Sequence, residues 1–409
     1  MAGGGILNRP IEQTNPSAMA LDRLDPMIHR LWTLKRELFR RWVLGENIEG
    51  TPIKAIREKP LKVVPKGYDF RIRVNYAGVS TAGRTEASTA YTMSYPTFYD
   101  YAIFKPRLYA GYVGLSEQEI AQIGDAEDAE SVDKHFEFIA DAADMTLESM
   151  VEDEERDFFG YGYVHDAVLD LPIVGTGTGR MTLQGLALAF SDANATMVAA
   201  TDGFYGFIDR TDAKFANWKG VKIATVPATD ENDMMKVWSK VRHGIDKPTL
   251  LVCGETVYAI IWGIPITADK VRFINDAAWH LGTSSPLAFN GSPIIELKTL
   301  DEAVFSTTEG TAAAPIARYY QSANVLPGDA GSTPITDSIT AIQQGLFYIN
   351  ENTMKLRAWR HLANKDGGPK LMPLMDSELK LGKIARVAHL IALGCSQPRY
   401  NGILHTITS

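Results

Sequence analysis

Hydrophobic residues fall at helical spacing in two long segments of this 409-residue chain and at strand spacing in several shorter ones. Met27, Ile28, Leu31, Leu34, Leu38, Phe39 and Trp42 recur every three or four positions, which predicts a helix. Asp25 can cap it, Pro26 suits its first position and Gly45 can end it. Arg40 and Arg41 stand in its last turn, where the helix dipole favours cations. The apolar stripe serves equally as core or as a face docked on another subunit.

The second periodic segment predicts a helix over 131–159. Val132, Phe136, Ile139, Ala143, Leu147, Met150 and Val151 repeat at spacings of four and three. About 28 residues rising about 1.5 Å each give roughly 40 Å. One face is apolar and the other almost wholly acidic, so the segment reads as a structural spine lying along a sheet.

Between the two helices lies a weakly charged stretch, RIRVNYAGVSTAGRTEASTAYTMSYPTFYDYAIF, over 71–104. Strand-like pieces at 70–76 and 90–104 flank a Gly- and Ser-bearing tip at 78–86. An extended hairpin follows, with an arm of about 15 residues reaching roughly 50 Å. A lone ribbon of this kind is marginal in water. No regular hydrophobic face is read for docking on its own domain, so a neighbouring subunit is expected to supply the missing surface.

Further along, 230–241 reads as a helix with Met234, Val237, Trp238 and Val241 on one face. The run 248–253 reads as a buried strand, and 255–263 as a helix. Asn290-Gly291 predicts a tight turn opening a strand. Residues 307–336 read as a surface loop. The end is β-rich, with strands over 354–359, 386–395 and 403–407 and a turn at 398–402.

Charge alters this picture. The net is −8, which argues against a nucleic-acid binder held by phosphate contacts. Residues 23–73 carry 13 Lys and Arg against 6 Asp and Glu, whereas 125–157 carry 14 acidic residues against two basic ones. These are either two solvated faces or complementary surfaces that meet between subunits. Cys253 and Cys395, the two cysteines, sit in apolar runs and read as buried small hydrophobes, not a disulfide framework or metal site. No apolar run reaches the length of a membrane span, and MAGGGILNRPIEQ is not read as a signal peptide.

The motifs that resemble chemical sites each lack a residue the chemistry needs. Gly175-Thr176-Gly177-Thr178-Gly179-Arg180 has Arg where a dinucleotide fingerprint needs its third Gly, and no Lys-Ser/Thr follows. Asp192, Asn194 and Thr196 open like a calcium loop, but Met197 and Gly203 occupy its Gly and Glu positions. The eight histidines show no ligand spacing; His389 in an apolar strand and His135 on the long helix read as satisfied or solvated. Glu152-Asp153-Glu154-Glu155 reads as a solvated acidic face, since four consecutive helical residues cannot converge on one ion. No catalytic, cofactor or metal site is expected, and the chain is not read as an enzyme.

The order hairpin then acidic helix, with LVCGETVYAIIWGI, FNGSPIIE and the final IALGCSQPRYNGILHTI, resembles the major capsid protein of tailed bacteriophages. The last two segments resemble that family's Asn-Gly-x-Pro and Pro-Arg-x-Asn-Gly turns. The resemblance implies an α+β fold with an N-terminal arm and helix over 1–52 and an extended loop over 74–104. It implies a peripheral domain over 53–73, 105–180 and 341–409, and an axial domain over 181–340.

It also implies self-assembly into hexamers and pentamers of an icosahedral shell enclosing double-stranded DNA, within a virion assembled in the bacterial host cytoplasm. Scaffold, portal and decoration proteins are expected partners, and a membrane is not. Arg40, Arg41, Arg84 and Glu86, with Glu152 and Glu155 of the spine, are the candidate intersubunit contacts. Some members cross-link a loop Lys to a neighbour's Asn, but no Lys lies between Lys66 and Lys105 here. The short segment before the first helix suggests a separate scaffold. The alternatives are an encapsulin-like nanocompartment shell and a soluble enzyme using 175–179 for a nucleotide.

Overall fold

The computed structural model describes residues 37–46, 52–53, 56–65, 67, 69–75, 99–116, 129–159, 165–166, 171–172, 183–190, 204–206, 208–210, 212–224, 231–263, 271–273, 287–300, 345–364, 366–376, 382–405 and 407. Two sheets organise them, with helices between and around.

The first sheet is built on one long strand. Strands β1 (Leu61–Val64), β2 (Phe70–Asn75), β3 (Tyr99–Phe104) and β4 (Arg107–Ser116) come early in the chain. They are followed by helix α1 (Ala129–Phe159) and the short α2 (Leu186–Phe190). Much later come β11 (Met354–Trp359), β12 (Lys370–Asp376) and the 14-residue β13 (Gly382–Cys395). β13 takes β4 along one edge, from Arg107↔Ile391 to Ser116↔Gly382. Its other edge takes β12 at one end and β11 at the other. β1 closes the sheet, parallel to β11. The β12–β13 register slips between Met372 and Met375, where Pro373 has no N–H to give the ladder.

The second sheet has seven strands. β5 (Val221–Ala224), β6 (Leu250–Cys253), β7 (Val271–Phe273), β8 (Leu287–Phe289), β9 (Ser292–Glu296), β10 (Leu346–Ile349) and β14 (Gly402–His405) lie in the order β7-β8-β9-β6-β10-β14-β5. Its strands are apolar on both faces because both faces are covered. Leu251, Cys253, Ile294, Leu346, Tyr348 and Leu404 meet α3 (Glu231–Val241) and α4 (Glu255–Gly263). Their neighbours Leu250, Val252, Ile295, Phe347, Ile349 and Ile403 point the other way, into the core shared with α1, α2 and the first sheet. Asn290 (φ 49°) and Gly291 (φ 80°) form the two-residue β8–β9 turn that their sequence predicts.

This pairing corrects the expected division at residue 340. β11 to β13 do join β1 and β4. β10 and β14, however, sit inside the seven-stranded sheet, between β6 and β5. The chain passes between the sheets twice near its end, so 341–409 is shared by both.

Helix α1 runs about 46 Å, by the rise of about 1.5 Å over its 31 residues. Its buried positions Leu147, Met150, Val151, Glu154, Glu155, Phe158 and Phe159 follow helical spacing. Leu38, Phe39, Trp42 and Val43, at the end of the first predicted helix, are core. Phe39 and Trp42 pack on Phe158 with ring centroids 5.4 and 5.8 Å apart. That helix closes in a π turn (Arg40–Leu44), and Gly45, at φ 71°, donates its N–H to the Arg41 carbonyl.

Candidate assembly surface and the joint between the sheets

β2 and β3 pair antiparallel from Phe70↔Phe104 to Asn75↔Tyr99, so they are the foot of the predicted hairpin. Residues 76–98, which include the tip read at 78–86 and most of the second strand-like piece, lie outside the described residues. The foot has the hydrophobic face that the sequence reading denied it. Phe-Arg-Ile-Arg-Val-Asn alternates strictly, and Phe70, Ile72 and Val74 are buried with Ala102 and Phe104 of β3. Burying each of the larger side chains stabilises the foot by about 1.5–3 kcal/mol.

The foot lies over Gly394 of β13, where a Cβ would come within 2.8 Å of Ile72 and 3.0 Å of Phe104. Phe104 meets the edge of Tyr205, whose hydroxyl accepts the Cys395 N–H at 2.8 Å. The Ile103 N–H donates to the Gly206 carbonyl at 2.9 Å. The foot is thereby held on the sheet face opposite α1.

The outward side of the foot is different in kind. Arg71, Arg73 and Asn75 alternate out of β2, beside Tyr99 (37% exposed) and Tyr101 (47% exposed) of β3. The Arg73 guanidinium sits 4.1 Å from the Tyr99 ring centroid, and the two tyrosine rings meet edge to face at 5.6 Å. Exposed Arg and Tyr on a fixed strand pair are the residue types that anchor protein interfaces. On the same face of the sheet as the foot, Leu108 and Tyr112 of β4 are also exposed. Helix α1 presents Asp141, Met145 and Glu148 outward.

The sheets are joined by buried polar contacts. The Asn401 carboxamide oxygen accepts the Asn350 N–H at 2.6 Å, and its nitrogen donates to Thr353 Oγ1 and the Gln397 carbonyl. One side chain therefore ties β10→β11 to β13→β14, the two crossings between the sheets. Arg41 forks onto Glu351 at 3.0 and 2.8 Å, with both side chains buried. The Thr249 hydroxyl donates to the same carboxylate at 2.9 Å.

Helix α1 meets the first sheet through carboxylates. Tyr109 donates its hydroxyl to Asp157 at 2.5 Å, and Glu154 lies 2.6 Å from His389 Nδ1. The other ring nitrogen, 3.0 Å from the Gly367 carbonyl, must donate to it. His389 is thus satisfied, as its apolar strand suggests. Burial pushes the Asp157 carboxyl up to about 7 and the Cys395 thiol up to about 12. Neither cysteine is in a disulfide, and both are buried.

The predicted contact residues divide. Arg41 is spent inside the subunit on Glu351, and Glu155 is buried, accepting from Thr299 Oγ1 at 2.8 Å. Neither is available to a neighbour. Arg40 and Glu152 are half-buried, and Arg84 and Glu86 lie outside the described residues. The expected acidic face at 152–155 is likewise corrected: Glu154 and Glu155 continue the buried stripe of Leu147 and Val151. The exposed Arg–Tyr face of the foot was not read from the sequence, although the alternation of Phe70 to Asn75 signals its Arg71 and Arg73. Residues 175–179 and 192–203 lie outside the described residues. His135 lies on the described backbone of α1, but its side chain is outside what is described. Among the described residues no helix is long and apolar enough to cross a membrane.

No family model and no curated protein matches the chain. Solved structures similar to it include the capsid of a native GTA particle, 9% identical, covering 88% of this chain and 92% of that one at a TM-score of 0.48. The capsid of cyanophage A-1(L) is 12% identical, covering 85% and 90% at 0.49. The SrpI encapsulin of Synechococcus elongatus PCC 7942 is 11% identical, covering 85% and 84% at 0.41.

Proposed function

We propose that this chain is a shell subunit, the major capsid protein of a tailed-phage-like particle, assembling as hexamers and pentamers around double-stranded DNA. The observation that carries this reading is the hairpin foot. It is rooted in the core on one side, carries an exposed Arg–Tyr face on the other, and leads into 23 further residues at 76–98. A subunit whose hairpin foot is closed into its own core yet presents such a face on the other side is built to contact copies of itself. Shell interfaces exceed the ordinary ~1,600 Å² and are spread over several neighbours, which arms supply without a larger core.

The partner face is the outward stripe of α1, with Asp141, Met145 and Glu148, on an adjacent copy. Its acids suit Arg71 and Arg73, and Met145 suits the tyrosines. The subunit does no chemistry; scaffold, portal and decoration proteins complete the particle in the host cytoplasm.

The test is the size of the purified protein by sedimentation and negative-stain microscopy. Rings of roughly 270 kDa, six copies of 45.0 kDa, or closed shells are expected. A monomer or dimer in every salt condition would refute the reading. Shells carrying protein cargo in place of DNA would make it a nanocompartment.

A further inference from the structure

The last turns of α1 crowd four acids, Asp153, Glu154, Glu155 and Asp157, into one stretch of helix. Glu155 turns toward Thr299. Glu154 and Asp157, three residues apart, share the face that packs on the first sheet. Facing them are Arg107 and Tyr109 of β4, His389 of β13 and the Gly367 carbonyl of the β11–β12 connection. Both contacts across this seam are short and each centres on a proton: the Tyr109 phenol on Asp157, and Nδ1 of His389 against Glu154. Glu154 and His389 are fully buried, so water cannot screen the seam there.

We propose that this seam is a proton-dependent clasp, which holds the end of α1 on the first sheet most tightly below neutral pH and loosens as the pH rises through it.

Asp157 supplies the pH range. Its folded carboxyl is pushed from an ordinary 3.8 to about 7 by burial first, with Asp153 and Glu154 adding to the rise and Tyr109 and Arg107 opposing it. Between those values the native state binds more protons than the unfolded chain. Stability from this group therefore falls as the pH rises through that window. The clasp does not depend on assembly, because every group in it belongs to one subunit.

The test is the thermal midpoint of the protein and of Asp157→Asn and Tyr109→Phe between about pH 5.5 and about pH 8.5. All three are compared in the same assembly state, checked by sedimentation. The parent midpoint should drop by a few degrees from about pH 6 to about pH 8. Asp157→Asn should lose that drop. Tyr109→Phe removes a bond that favours the carboxylate, so it should move the drop to higher pH. A parent without the drop, or an Asp157→Asn variant that keeps it, overturns the proposal. Should Asp157→Asn fail to fold, Tyr109→Phe decides: a drop at the parent's pH overturns the clasp.

Discussion

Replacing Glu351 by Ala strands a buried guanidinium. Arg41 and Glu351 are 1% and 0% exposed, so neither water nor salt can take the place of the lost partner. Nε and Nη2 of Arg41 lose their acceptors together, and the Thr249 hydroxyl loses one of its own. Hydrogen bonds to a charged group contribute about 1.5–3 kcal/mol each. Removing one member of a buried pair costs about 3–5 kcal/mol. Two routes thus converge on roughly 4 kcal/mol for Glu351→Ala. The double variant Arg41→Met/Glu351→Leu leaves no orphan charge and should recover most of that loss. Urea unfolding of the unassembled subunit, followed by tryptophan fluorescence, measures all three, with Trp42 next to the pair as a local reporter. A single-variant loss under about 1 kcal/mol, the scale of an exposed pair, would refute the reasoning. So would a double variant less stable than the sum of the two single losses.

Four further outcomes are expected. Gly394→Ala should destabilise by about 1–3 kcal/mol in thermal melts, because its Cβ would enter the space of Ile72 and Phe104 under the hairpin foot. Asn401→Ala leaves the buried Asn350 N–H without its acceptor and should lose about 1–3 kcal/mol in urea unfolding. The thiols of Cys253 and Cys395 should stay unreactive to Ellman's reagent at about pH 8 until the chain unfolds. With the folded Cys395 thiol at about 12 against an ordinary 9.0, stability from it is lost as pH rises above 9.0 toward that value. Arg73→Glu, on the outward face of the foot, should leave the melting midpoint of the subunit within a few degrees of the parent while reducing particle yield in sedimentation. Unchanged yield would remove Arg73 from the interface.

Features encoded over a few neighbouring residues are legible without the fold. The stripe Met234, Val237, Trp238 and Val241, the run 248–253, whose strand covers Leu250–Cys253, and the Asn290-Gly291 turn are set by side-chain period and by allowed backbone angles. They appear in the structure where they were read. Tertiary structure decided whatever depends on partners far along the chain. Arg41 finds Glu351 310 residues away, and nothing near either residue marks one charge as buried. Glu154 and Glu155 look like surface because carboxylates usually are; His389 and Thr299 admit them to the core. The placement of β10 and β14 in the second sheet follows from the same cause. Any apolar strand can satisfy its own period, but only the summed packing of both sheet faces selects its neighbours.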